Sequence, residues 1–186
     1  MGWELMNETR GVSVADRELL LEWTVEMSRF IKSIDSNHLL ALGDEGFFFK
    51  RGHGHLYDGT YGIDFEAVLK LPSIDFGTFH FYPQTWGYEH HLQIGRRWIS
   101  DHIAAGKRAG KPVLLEEFGL KLRAGSVDSP DTRDRWYRRW LNLIRQRNGA
   151  GALLWMLGCD DPDLKSFRDE YTLFSTSELP TFPAES

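Results

Sequence analysis

Short apolar runs recur along this 186-residue chain at a spacing that few folds produce. They centre near positions 5, 41, 78, 114 and 153, so successive runs stand 36, 37, 36 and 39 residues apart. Between them, apolar residues recur at three- and four-residue steps, the period of an amphipathic helix. Such regular strand–helix alternation specifies a wound or barrel α/β fold rather than two separate units. No linker, low-complexity segment or sequence-level repeat interrupts it, and the expectation is one domain over residues 1–186.

The elements follow in order. Gly2 to Glu8 (GWELMNE) is an apolar run closing on Asn7 and Glu8, with Thr9-Arg10-Gly11 as a loop. Ser13 with Asp16 three residues on makes an N-cap pair. Leu19, Leu20, Trp23, Met27, Phe30, Ile31 and Ile34 then form one helical stripe, expected to face a core. Leu39 to Gly43 is a second buried strand ending on Asp44-Glu45-Gly46, and residues 51–60, rich in Gly and His, read as a site-shaping loop. A short helix over Asp64 to Leu71 precedes the third strand, Ile74 to Tyr82, where His80 and Tyr82 point to one side of the carboxyl end. The next helix spans about 91–109, buries Ile94, Trp98, Ile99 and Ile103, and stops at Gly110. Lys111 to Gly119 (KPVLLEEFG) is a strand buried on both faces and closed by Glu116-Glu117. Ser129-Pro130-Asp131 starts a helix whose apolar face carries Trp136, Trp140 and Ile144, and Gly151 to Met156 is the fifth strand, with Trp155 near its end.

In barrels of alternating strands and helices, chemistry sits at the carboxyl ends of the strands. Glu8 and Glu117 both occupy such ends, 109 residues apart, which is about three strand–helix units of about 31 residues. Two opposed carboxyls, one protonated and one ionised, are what glycosidic cleavage requires. Asn7, His80, Tyr82 and Trp155 stand at the same ends, and this convergence favours a site over a set of solvated strand ends. Glu45 is open between a cleft residue and a structural hydrogen-bonder. Trp98, Trp136 and Trp140, at helical spacing, are assigned to the core. His53 and His55 are loop residues without a third metal ligand nearby. Asp160, Asp161 and Asp163 lack the glycine and glutamate of a calcium loop and read as a polar turn at the cleft rim. No cofactor and no metal are expected.

Composition narrows the partners. A net charge of −5 without any Lys/Arg-rich run argues against phosphate backbones as partners. The single cysteine, Cys159, excludes an internal disulfide framework. No run of about 18 apolar residues reads as a membrane span, and no charged-then-apolar start reads as a signal peptide. Aromatic content of 13%, with seven Trp, suits a protein that stacks flat apolar ligand faces such as sugar rings.

The motifs together resemble glycoside hydrolase family 5, most closely its endo-β-1,4-mannanases. Trp3-Glu4-Leu5-Met6-Asn7-Glu8 is similar to the family's WEL-x-NE strand, Asp44-Glu45-Gly46-Phe47 to its EGF turn, His80-Phe81-Tyr82-Pro83 to its H-x-Y-P strand, and Leu115 to Gly119 to its nucleophile strand. Trp155 matches the tryptophan after the last strand. The resemblance implies a (β/α)8 barrel of which this chain supplies strands four to eight, a partial barrel of five parallel strands with the first three units missing. It implies Glu8 as acid/base and Glu117 as nucleophile of a retaining mechanism on β-1,4-mannan. By the same resemblance, Asn7 bonds the sugar's 2-hydroxyl, Tyr82 holds Glu117, His80 serves substrate or the surroundings of Glu8, Trp155 stacks beneath the sugar, and Trp86 serves a neighbouring subsite. An early-strand arginine of the family has no counterpart, and family habit implies a secreted parent. The alternatives are a β-1,4-glucanase of the same family and an inactive fragment or non-catalytic sugar-binding piece. Two open sheet edges would favour self-association or complementation by another chain.

Overall fold

The structure, a computed structural model, describes residues 2–122, 127–158 and 169–173. Strands and helices alternate in the expected order: β1 (Gly2–Glu4), α1 (Arg17–Ile34), β2 (Leu39–Ala41), α2 (Phe65–Leu69), β3 (Gly77–Phe81), α3 (Ile94–Ala109), β4 (Val113–Phe118), α4 (Pro130–Gln146) and β5 (Gly151–Leu154). All paired strands are parallel, β1 with β2 and β3 with β4 with β5. Single bonds bridge the two ladders: Asp75 N–H donates to the Leu40 carbonyl at 2.8 Å and His80 N–H to that of Glu45 at 3.1 Å. The result is a partial barrel, an arc of five strands with helices outside. Among the described residues no helix is long and apolar enough to cross a membrane.

Local chemistry sets the helix ends. Ser13 Oγ accepts from Ala15 N–H while Asp16 Oδ2 accepts from Ser13 N–H, a reciprocal capping box on the short turn that leads into α1. Ser129 caps α4 through Thr132 N–H with Pro130 at the first helical position. Gly110 ends α3 at φ 68°, where a β-carbon would be strained.

The core lies between the sheet and α3 and α4. Trp98, Ile99 and Ile103 from α3 and Tyr137, Trp140 and Ile144 from α4 meet Phe79, Phe81, Leu115 and Phe118 from the strands. Each such side chain contributes about 1.5–3 kcal/mol by leaving water. Phe47 and Phe48, on the loop after β2, complete an aromatic cluster around Trp98.

Three expectations need correction. The α1 stripe does not face a core as a whole: Leu19, Phe30 and Ile34 are 67, 56 and 70% exposed, while Thr24 and Ser28 are buried. The apolar sector of α1 is wider than its one packed helix neighbour, α2, can cover. Contact runs instead through Leu20, Leu21, Thr24, Ser28 and Ile31, with Ser28 Oγ bonded to Ser73 Oγ at 2.6 Å. The edge strands are also more open than parallel strands usually are: β1 is exposed throughout, with the Trp3 indole donating to Asp35, and Leu153 of β5 is 54% exposed. Finally, Trp136 is only half-buried, unlike Trp98 and Trp140. Cys159 and the acidic turn at Asp160, Asp161 and Asp163 lie outside the described residues.

Candidate active site

The site is assembled at the carboxyl ends of the strands. Beyond β1 the chain keeps pairing with β2: Leu5 N–H donates to Ala41, Met6 N–H to Leu42 and Glu8 N–H to Gly43 at 2.7 Å. At Glu8 the backbone turns through the left-handed region, φ 51°, a conformation that costs a non-glycine residue energy and is tolerated where the surroundings impose it. Gly43 sits at φ 93°, a backbone conformation that strains any residue with a β-carbon, and the Glu4 carboxylate fills the space that such a carbon would take.

The β4 backbone shifts register against β3 between Phe79 and His80, and against β5 between Leu115 and Phe118. Strand alternation would send Glu116 and Glu117 to opposite faces, but at this irregularity both reach His80. The His80 side chain is fully buried; its Nδ1 lies 2.9 Å from Glu8 Oε1 and 3.6 Å from Glu117 Oε2, and its Nε2 lies 3.5 Å from Glu116 Oε2. Burial opposes charge on the ring, yet the facing carboxylates of Glu116, Glu8 and Glu117 push its pKa up to about 10. The His80 hydrogen bond in turn holds the Glu8 carboxyl below its ordinary range, against the effect of burial. Tyr82 O–H donates to Glu117 Oε2 at 2.7 Å, and burial plus that carboxylate drive the phenol far above its ordinary pKa.

Ligand atoms of Glu8, His80 and Glu117 all lie within 4.8 Å of one another, the one such trio of potential metal donors among the described residues. A ring that is protonated at the nitrogen facing Glu8 has no lone pair there for a cation, so this donor set suits proton traffic better than metal binding.

An open cleft of about 380 Å³ lies over these groups. Asn7, Glu8, Tyr82, Trp86, Glu117 and Trp155 line it, which brings every sequence-assigned residue except His80 to the cleft wall, with His80 directly beneath. Trp86 is 8% exposed and spends most of its ring on Phe47, Phe81 and Trp98. The Trp155 indole N–H is fixed by Asp169 Oδ2 at 2.8 Å. Larger grooves, about 500 Å³ between α3 and α4 and about 530 Å³ along α1, lie on helix exteriors away from this cluster.

Several site residues escape the sequence reading, and Glu45, open there between a cleft and a structural role, is a buried ion-pair partner. Arg10 pairs with Glu45 and stands 3.5 Å from Glu8 Oε2, its guanidinium 5.3 Å from the Tyr61 ring centroid. Its signal was its position two residues after Glu8, in what read only as a loop. Glu45 is fully buried against Arg10, and burial raises its pKa despite that cation. Asp44, also buried, is pushed up to about 7 by desolvation and then by Glu45. Lys121, Thr85 and Tyr171 complete the cleft wall; Tyr171 meets the Tyr82 ring at 4.9 Å and bonds Thr85.

A family model described as GH family 5 beta-mannosidase-like matches residues 1–158. The chain belongs to that family. Among its glycoside hydrolase family 5 relatives, the mannan endo-1,4-beta-mannosidase 2 of Arabidopsis thaliana is 37% identical over 185 residues, 91% of this chain and 42% of the relative. The probable mannan endo-1,4-beta-mannosidase A of Aspergillus flavus is 40% identical over 158 residues, 84% of this chain and 38% of the relative. The crystal structure of the endo-beta-1,4-mannanase from Thermotoga petrophila superposes with a TM-score of 0.80 at 39% identity, over 94% of this chain and 40% of that one. The family 5 chain described here therefore spans less than half the length of these relatives.

Proposed function

We propose that this chain carries the acid/base and nucleophile of a retaining endo-β-1,4-mannanase, with Glu8 and Glu117 in those roles. The observation that carries the reading is the approach of the Glu8 and Glu117 carboxylates, with one oxygen of each inside a 4.8 Å cluster shared with His80. Retaining enzymes hold their two carboxyls about 5–5.5 Å apart, whereas inverting ones leave about 6.5–9.5 Å for a water molecule. Mannan as substrate is drawn from the named activities of the relatives, at 37–40% identity.

In this reading Glu117, oriented by the Tyr82 hydroxyl, attacks the anomeric carbon as the glycosidic bond to the leaving oxygen breaks. The proton that the leaving oxygen needs is held by the Glu8–His80 couple, across 2.9 Å. In the free cleft it rests on the imidazole. A bound sugar chain expels water and lowers the local dielectric, which favours the neutral pair, so the proton moves to Glu8 and onward. In the second half Glu8, again a carboxylate, takes a proton from the water that attacks the glycosyl–Glu117 ester. Asn7 serves the sugar's 2-hydroxyl, and Trp155, with its indole N–H anchored by Asp169, offers a ring face to the sugar.

The test is release of reducing ends from mannan and from carboxymethylcellulose by the 186-residue chain, beside Glu8→Ala and Glu117→Ala, with proton NMR of the first anomer formed. Mannan cleavage giving the β-anomer and lost in both variants is expected. Action on the cellulose derivative alone would remove mannan as substrate, and an α-anomer as first product would remove retention.

A further inference from the structure

His80 is buried completely, and every charged group facing its ring nitrogens is a carboxylate: Glu8 and Glu117 at Nδ1, Glu116 at Nε2. The Nε2 atom and Glu116 Oε2 are both shut off from solvent, neither makes a hydrogen bond, and they face each other as an ion pair at 3.5 Å. A neutral imidazole has one N–H. Whichever nitrogen carried it, the other would turn a lone pair toward a carboxylate oxygen, a repulsive arrangement in a dry site. With the facing carboxyls ionised, only the doubly protonated ring satisfies both ends.

We infer that Glu116 is a positioning residue that holds the second ring proton of His80, keeps the ring an imidazolium, and so fixes where the proton of the Glu8–His80 couple rests. It touches no substrate-facing surface of the cleft; it acts through His80. Sequence alternation alone would have assigned it to the far face of β4, and the backbone irregularity between Leu115 and Phe118 is what brings it in.

The ionisable groups around the pair come from four elements. Glu4 lies in β1, with Glu8 and Arg10 beyond its end; Asp44 and Glu45 follow β2, Tyr82 follows β3, and Glu117 lies in β4. Glu4, exposed as a residue, turns its carboxyl over Gly43 toward Glu116, where partial desolvation of that carboxyl and the Glu116 charge push it up to about 7. A proton on Glu4 is therefore available to bond Glu116 below neutrality, leaving the other Glu116 oxygen to His80. The role in turnover rests on the reading of Glu8 as acid/base, whereas the protonation state of His80 does not.

The experiment compares the wild-type 186-residue chain with Glu116→Gln, which keeps shape and removes charge, and Glu116→Asp, which keeps charge. Ring nitrogen-15 shifts of the seven histidines are followed from pH 5 to 11, with His80 assigned by its disappearance in His80→Gln. In the wild type His80 is expected to be doubly protonated at pH 8. In Glu116→Gln its midpoint should fall by at least one pH unit, and Glu116→Asp should stay near wild type. The alkaline limb of kcat/KM on mannan should move down by about the same amount with KM unchanged, because the couple loses its proton sooner. A neutral wild-type ring at pH 8 overturns the proposal, as does an unchanged midpoint in Glu116→Gln. The expected nitrogen shifts without mannan hydrolysis in any protein would uphold Glu116 as the holder of the ring proton and overturn the proposed mannan cleavage by this chain. If Glu116→Gln does not fold, the wild-type ring and Glu116→Asp still decide.

Discussion

His102 allows a sharp stability prediction. Its ring is completely buried on α3, stacked on Phe79 at 4.1 Å and packed against Phe48, Phe65 and Trp98. Nδ1 lies 2.7 Å from the Trp98 carbonyl and Nε2 2.7 Å from the Gly46 carbonyl; the neutral ring donates its one N–H to one of them, and because the facing groups are carbonyl dipoles rather than carboxylates they do not outweigh burial and hold a second proton. Burial, which those two carbonyls only partly offset, brings its pKa from 6.5 down to about 4. Between those values the unfolded chain binds a proton that the folded chain refuses. This contribution is therefore complete above 6.5 and is lost as pH falls toward 4, a gap worth about 3 kcal/mol. In His102→Gln that pH-dependent share vanishes, while any packing loss is independent of pH. Asp44 and Glu4, both pushed up to about 7, titrate in the opposite sense but are common to the two proteins. Urea unfolding at pH 7, 5.5 and 4, followed by tryptophan emission, should show the wild type losing about 3 kcal/mol more than the variant between pH 7 and pH 4. Parallel curves of free energy against pH would refute the reasoning, and a wild type that gains stability relative to the variant in acid would mean that the ring is buried as a cation.

Tyr82→Phe removes the donor 2.7 Å from Glu117 Oε2; a charge-assisted bond of about 1.5–3 kcal/mol predicts kcat on mannan lower by about 10- to 100-fold with KM little changed, read by steady-state kinetics. Arg10→Met leaves the fully buried Glu45 without its cation, and a loss of about 2–3 kcal/mol is expected in urea unfolding at pH 7, shrinking toward pH 4 as Glu45 protonates. Ser129→Ala removes the α4 cap to Thr132 N–H and should cost about 1 kcal/mol, visible as a lower thermal midpoint with unchanged helix content.

The order of elements could be read from the sequence because apolar period and turn chemistry agree at each boundary: Ser129-Pro130, Gly110 and Asp64 all stand where helices begin or end. Strand ends also carried Glu8, His80, Tyr82 and Glu117 into one site. What escaped depends on contacts between distant segments. Arg10 looked like loop filler because its partner, Glu45, is 35 residues away. Tyr171 and Asp169 come from a segment without periodicity, whose described residues meet the cleft through Thr85, Tyr82, Lys121 and Trp155. The α1 stripe was assigned to a core because periodicity reports an apolar face but not how much of it a neighbour covers.

Glu8 leaves the first strand of the arc and Glu117 the fourth, yet their carboxylates meet within 4.8 Å. Three strand spacings in a flat sheet would span about 14 Å. Bending of the sheet, together with the inward reach of the side chains, closes the difference, so the gap between the two carboxylates is the chord of a bent ribbon. Such a chord amplifies small angular changes, and a few degrees between neighbouring strands, repeated three times, move the carboxylates by a large part of the reactive distance. The pair thus works as a goniometer for the sheet: under the proposed function, the rate of glycoside cleavage followed across temperature or pressure would measure how stiffly this ribbon holds its bend.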